Sequence, residues 1–388
     1  MPEKKKQHYV PQFYMRQFAN NNGKFSIYHI KNEKCVEEVP YNNQCYKDYY
    51  YGNDGIWEER LSAMETKWAI VIKKILANDI LVEEDFQLIK QFALYQRQRT
   101  YAEGEYVKQG RKEILIECGK MLYANKGWLF DDEAKRICEE RATEEVTPAE
   151  NLENAVNLTK YLEDLSVLII NYKTNRELVS SDTPVIIINP FHKYTIGYGC
   201  MGIVLFFPVS RHKLAVIYDS KIYSRFKNNQ YTDIYDESEV YNLNAFQYIS
   251  AEKILFAHGK NEFLNWGDDV KVARSNCREG NAISTLGPEG NRIIMSGQRL
   301  VLYDCELSFG QLPHRFKRIP FTCREAVPRK WEMEWESKLN LKEQIMMEVF
   351  KMNPKSLADI GLSKKDLKRG YRRMALAAHN YWNEDIVR

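Results

Sequence analysis

The spacing of apolar and polar positions changes period several times along the chain, and each change marks a different kind of element. GKFSIYHI and KCVEEVP alternate apolar and polar residues on either side of Lys31, Asn32 and Glu33, which predicts a β-hairpin. From Ile56 the period becomes helical, with Leu61, Met64, Trp68, Ile72 and Ile75 on one stripe, and EEDFQLIKQFALYQRQRTYAEGEYVKQGRKEILIECGKML continues as helix. Acid-rich helices follow to about Leu165. Short β-branched runs then predict strands at VLIINYK, ELVSSDTPVIIIN, GIVLFFPVS and KLAVIYD. SEVYNLNAFQYISAEKILFA reads as a helix, REGNAISTLGPEGNR as Gly-rich turns and QRLVLYD as a further strand. In the tail, SLADIGLSKKDLKRGYRRMALAA predicts a helix closing at Gly361 and a second capped by Ser363, with Asp366 three residues on.

The pattern as a whole predicts an α+β fold: a helical N-terminal half after the hairpin, a central mixed or antiparallel sheet, and a helical C-terminal tail. We divide it into a domain over 1–310 and a basic helical extension over 311–388. With 388 residues, 44% of them hydrophobic, the chain is long enough to enclose a large core. The eight cysteines are scattered without zinc spacing and read as free thiols. No run is long and apolar enough to span a membrane, and MPEKKKQ lacks the apolar core of a signal peptide, so a cytoplasmic protein with no membrane partner is expected.

A net charge of +3 does not itself indicate nucleic-acid binding. Its distribution is uneven: from Gln311 onward lysines and arginines outnumber acids by about seven, whereas 130–155 is acid-rich. The basic face of the tail, Lys364, Lys365, Lys368, Arg369, Arg372 and Arg373, is a candidate surface for nucleic acid or an acidic protein partner, the alternative being a solvated helix.

Candidate chemistry lies elsewhere. Pro11 suits the first position of a short helix, which would put His8 and Tyr9 just ahead of its N-terminus, where an imidazole can donate to a phosphate or exchange a proton; the alternative is packing of an aromatic segment. Glu58 and Glu65 are seven apart on one helix face, suited to a metal if other ligands join them, or to ordinary solvation. Of Arg97 and Arg99 one should point inward, and Arg99 would then pair with Glu65 or Asp182 or await a phosphate. Ser181 and Asp182 precede Pro184, which places them at a strand end: Asp182 as metal ligand, base or cap of its own turn, Ser181 as a weak nucleophile. Asn244 sits on a helix from which it can orient that loop. Walker, Rossmann, zincin and kinase motifs are absent from the sequence.

Residues 8–18, HYVPQFYMRQF, resemble the opening H-[HY]-V-P-[QR]-x-Y-L-[RK]-x-F of DUF4238, an uncharacterised bacterial family. Tyr49, Tyr50 and Tyr51, the Glu58…Leu61…Glu65 helix, Arg99 with Thr100, the run from Ser181 to Val185, the strand FFPVS and Asn244 resemble further pieces of its pattern in order, over about residues 7 to 260. Met15 replaces the usual leucine and Tyr101 a frequent proline. In the tail, Asp359 to Ser363 is similar to a helix-turn of small arginine-rich RNA-binding domains. The resemblance implies a shared site and a bacterial mobile-element or defence setting, without an activity. Its polar set suits phosphodiester chemistry: Glu58, Glu65 and Asp182 for Mg or Mn, Arg99, Arg16, Tyr9 and Asn244 for phosphate, and His8, with Arg99, Asp182 and Ser181, at the reacting bond. A nuclease or related hydrolase of nucleic acid or a nucleotide is therefore expected, with a non-catalytic nucleotide sensor or partner-binding protein as the alternative.

Overall fold

The computed structural model describes residues 5–307, except 145–146, 190–197, 200–201, 221, 224–228, 264–265, 279–282, 287–291, 296–302, 304 and 306. The basic cluster from Lys364 to Arg373, the capped tail helices and nearly all of QRLVLYD lie outside the described residues.

The expected hairpin is β2 (Lys24–His29) and β3 (Lys34–Pro40), paired antiparallel. Ahead of it, β1 (Lys6–His8) pairs antiparallel with β4 (Tyr46–Asp48), and between them runs the four-residue helix α1 (Gln12–Met15). Pro11 is the cap of α1 rather than its first residue. The helical half consists of α2 (Ile56–Ala77), α3 (Glu83–Gln98), α4 (Tyr101–Asn125), α5 (Asp132–Glu144) and α6 (Pro148–Leu158). The sequence's single long helical run thus breaks between α3 and α4. Thr100 makes the break: its side chain accepts from the Glu103 N–H and caps α4, as Ser and Thr do when their hydroxyl replaces a missing intrahelical partner.

The strands follow: β5 (Ser166–Tyr172), β6 (Ser180–Ser181), β7 (Ile186–Ile188), β8 (Val204–Ser210), β9 (Lys213–Tyr218) and β10 (Tyr231–Ile234), then α7 (Glu237–Ser250), β11 (Ile254–Ala257), α8 (Asp268–Arg278) and a hairpin, β12 (Ile283–Leu286) with β13 (Arg292–Met295). One sheet has five strands in the order β10-β5-β9-β8-β7, antiparallel except for the β10–β5 pair; another has four in the order β3-β2-β11-β6. The fold is α+β with mixed sheets.

Both faces of the five-stranded sheet are buried, which is why its strands read as unbroken apolar runs rather than alternating ones. Val167, Ile169, Leu205 and Phe207 face a core shared with Tyr14, Trp68 and Phe92, whereas Leu168, Ile170, Val204 and Phe206 face one shared with Phe246 and Val270. The N-terminal segment is part of the first core. Tyr14 is fully buried, stacks on Phe207, donates its hydroxyl to the Pro208 carbonyl at 2.7 Å and meets Ser180 Oγ at 2.7 Å.

One expected helix is shorter than its pattern. KILFA is not the end of α7 but strand β11, paired with β2 and β6, and Glu252 lies beyond the helix. Two long-range interactions end α7. Arg274 Nη1 donates to the carbonyls of Tyr248, Ile249 (3.1 Å) and Ala251 (2.8 Å), and the Asp182 carboxylate takes the next two backbone N–H groups.

Candidate functional site

Two segments meet at a cleft of about 230 Å³. The β1–α1 turn contributes His8, Pro11, Gln12 and Phe13, and α2 contributes Glu58, Leu61, Ser62 and Glu65. The sevenfold spacing of Glu58 and Glu65 puts both on the helix face that looks across at His8. Ser62 falls between them by the same geometry, four residues from one and three from the other.

The segment carrying His8 is held by its backbone. Tyr9 N–H donates to the Cys45 carbonyl at 2.9 Å, and the Tyr51 hydroxyl donates to the His8 carbonyl at 3.1 Å. The His8 ring meets the Asn42 carbonyl through Nε2 at 3.1 Å. A carbonyl only accepts, so Nε2 carries the proton and Nδ1 is the basic nitrogen of the neutral ring. Burial lowers the His8 pKa from its ordinary value, outweighing the Asn42 hydrogen bond and Glu65, which pull the other way. The imidazole is therefore mostly unprotonated at neutral pH, the state a proton acceptor needs.

Behind the cleft lies Arg99, fully buried at the junction of α3 and α4. Its Nη1 donates to Glu65 Oε1 at 2.7 Å and its Nε to Gln96 Oε1 at 2.8 Å, while Gln96 Nε2 donates to the Tyr9 carbonyl at 3.0 Å. A charged chain thus runs from the backbone beside His8 through Gln96 and Arg99 to Glu65. It fixes Glu65 by a charge-assisted hydrogen bond whose donor is out of water. Arg99 Nη2 has no hydrogen-bond partner among the described residues. Of the partners the sequence offered for Arg99, Glu65 is the one it meets. Arg97 is also buried, with Nε 3.1 Å from Glu103 Oε2 and Nη1 donating to the Val185 carbonyl, so both arginines point inward.

His8, Glu58 and Glu65 are brought together at the cleft, with Arg99 behind Glu65; the remaining described candidates are not. Asp182 is buried, and its two oxygens accept from Glu252 N–H at 2.9 Å and Lys253 N–H at 2.7 Å, so it caps the turn after α7 rather than its own backbone. Its carboxyl is pushed up to about 6 by burial, against those hydrogen bonds. Ser181 is buried, donates to Gln247 Oε1 at 2.7 Å and accepts from Thr183 N–H at 3.0 Å, which leaves its oxygen no approach for an electrophile. Asn244 clamps the strand before them, accepting from Val179 N–H and donating to the Glu177 carbonyl, both at 2.9 Å. Tyr9 is buried against Tyr50, and Arg16 is exposed with Nε on the Tyr41 hydroxyl at 3.1 Å; neither lines the cleft. Among the described residues no group of three His, Cys, Asp or Glu side chains is placed to hold a metal ion. Gln12, Ser62 and Gln96 are the members that sequence reasoning passed over. Ser62 and Gln96 were marked only by helical spacing from Glu58 and Arg99.

Among the described residues no helix is long and apolar enough to cross a membrane. The model of the family described as "Protein of unknown function (DUF4238)" matches residues 6–261, the stretch from β1 past β11 that contains the whole cleft. No curated protein and no solved structure matches the chain.

Proposed function

The chain belongs to the DUF4238 family, and we propose from its cleft that it hydrolyses phosphodiester bonds in a nucleic acid or nucleotide. The observation that carries this reading is the convergence of a neutral histidine and an arginine-anchored glutamate on one solvent-reached cleft. In this reading His8 takes a proton from water through Nδ1, and Gln12 and Ser62 offer hydrogen bonds to the substrate. Glu65, held by Arg99, orients the attacking water. Two carboxylates repel a phosphodiester; a divalent cation, Mg or Mn, would be held by Glu58 and Glu65 and would supply charge neutralisation. Asp182 has no part in this set.

Turnover of bis(p-nitrophenyl) phosphate by the full chain, with Mg or Mn and again with EDTA, tests the reading. His8→Asn is expected to lower the rate about a hundredfold or more, the usual worth of a positioned acid or base. Metal-dependent turnover lost in both His8→Asn and Glu65→Gln supports it. The second reading is a non-catalytic nucleotide sensor. Nucleotide binding at this cleft with no turnover under any metal would select that one.

A further inference from the structure

Two tyrosines neighbour the cleft residue His8, one by ring contact and the other through the backbone next to Asn42, and each has a cation over its ring. On one side Lys6 Nζ lies 4.6 Å from the centroid of Tyr46, whose ring meets that of His8 at 5.6 Å. On the other, the Asn42 carbonyl that accepts from His8 is followed back along the chain by Tyr41, and the Arg16 guanidinium lies over the Tyr41 ring at 5.8 Å. The two halves arise from local geometry. In the β1–β4 ribbon, Tyr46 is directly opposite His8 and Lys6 is two residues back, so all three share a face. Arg16 follows the cleft residue Gln12 by four positions, one turn of helix. Lys6 and Arg16 are exposed, and both tyrosines are half-buried. The nearest acid on the ribbon, Asp48, is paired with Lys5 at 3.2 Å.

An aromatic face beside a cation, repeated on either side of a reacting centre, is what an unpaired polynucleotide needs: every base has a π-face to stack, and every linkage has a charge to neutralise. A duplex offers no open base face. We infer that a single-stranded nucleic acid crosses the cleft, with bases stacked on Tyr46 and Tyr41 and phosphates on Lys6 and Arg16, one linkage between them facing His8. This rests on the phosphodiester reading for what happens at His8, but the track itself is a statement about binding.

The test is fluorescence anisotropy of a labelled oligothymidylate against the full chain and its variants. Tyr46→Leu and Tyr41→Leu should each weaken binding about tenfold, and Tyr46→Phe, which keeps the ring, should stay within about twofold of the unaltered protein. Lys6→Gln with Arg16→Gln should flatten the dependence of log affinity on log salt by about 1.4, two phosphate contacts at roughly 0.7 each. An oligonucleotide bound no more tightly than a mononucleotide, a blunt duplex that competes equally, or binding unmoved by both leucine variants would overturn the track. The two readings fail separately. Tyrosine-dependent binding with no turnover of the small diester leaves the track and removes the hydrolase; diester turnover with tyrosine-independent binding does the reverse.

Discussion

The cleft at His8 and the knot at Asp182 are built from the same kinds of residue and spend them differently. Around Asp182, Ser181, Asn244 and Gln247 the hydrogen-bonding groups turn inward, mostly to backbone of segments 60 to 70 residues away, and no side chain there is solvent-exposed. Around His8 the anchoring bonds of Glu65 come from behind, and Glu58, Glu65 and Ser62 line an open cleft. A polar cluster whose bonds close on backbone is a device for ending helices and joining strands. One anchored on a single side has capacity left for a ligand. The distinction is therefore one of satisfied valences, not of residue type.

The widest gap between the two regions should appear in stability. Asp182→Ala removes the acceptor of two part-buried N–H groups and frees the end of α7, so a loss of about 3 kcal/mol is expected in urea unfolding, two charge-assisted bonds at about 1.5 kcal/mol each. A loss under about 1 kcal/mol would mean that the knot is not a structural clasp. Glu65→Gln comes next, at about 2 kcal/mol: it leaves the buried Arg99 guanidinium without its counter-charge, while the partial exposure of Glu65, 28% of its side chain, keeps the cost below that of a fully buried pair. Combining it with Arg99→Leu should return part of that loss; strict additivity would show that the two side chains do not act as a pair.

Acid should pull the two regions in opposite directions. The Asp182 carboxyl rises from 3.8 to about 6 on folding, so its contribution to stability is fullest below 3.8 and is lost as pH rises through 6. His8 is lowered from 6.5, so its contribution is complete above 6.5 and is lost as pH falls through the lowered value. Melting temperatures from pH 4 to 7 should show His8→Asn with less loss on acidification than the parent and Asp182→Asn with more. Parallel curves would contradict the assignment. At the small end, Ser62→Ala on the exposed wall should change stability by less than about 0.5 kcal/mol, and a larger effect would mean the wall is a packed surface.

Much of the helical half was legible because α2 writes its buried stripe at regular intervals, from Leu61 through Trp68 to Ile75. The β2–β3 hairpin and the strands from β5 to β9 were legible too, from alternation and from β-branched runs between turns. What escaped was determined by distant partners. KILFA carries a helical pattern, yet it becomes β11 because Asp182, 70 residues earlier, takes the Glu252 N–H, and because β2 offers an edge to pair with. The short β1 and β4 have no periodicity of their own and exist as a pair. The site was partly visible for the same reason. Glu58 and Glu65 share a helix face by spacing alone, and Arg99 required an acid. The roles of Asp182 and Ser181 depended on Gln247, Glu252 and Lys253, whose proximity no local pattern announces.

The Tyr14 hydroxyl, tied to residues 166 and 194 positions away, also sets an order of events during synthesis. Its partners on β6 and β8 emerge from the ribosome some 170 to 190 residues after it, on the order of ten seconds or more at about 5–20 residues per second. Through that interval Tyr9, Phe13, Tyr14 and Phe18 have no core to enter. The nascent chain thus presents a short aromatic stretch behind a lysine run for as long as the sheet takes to appear. The cleft wall that carries His8 is made well before the strands that secure it.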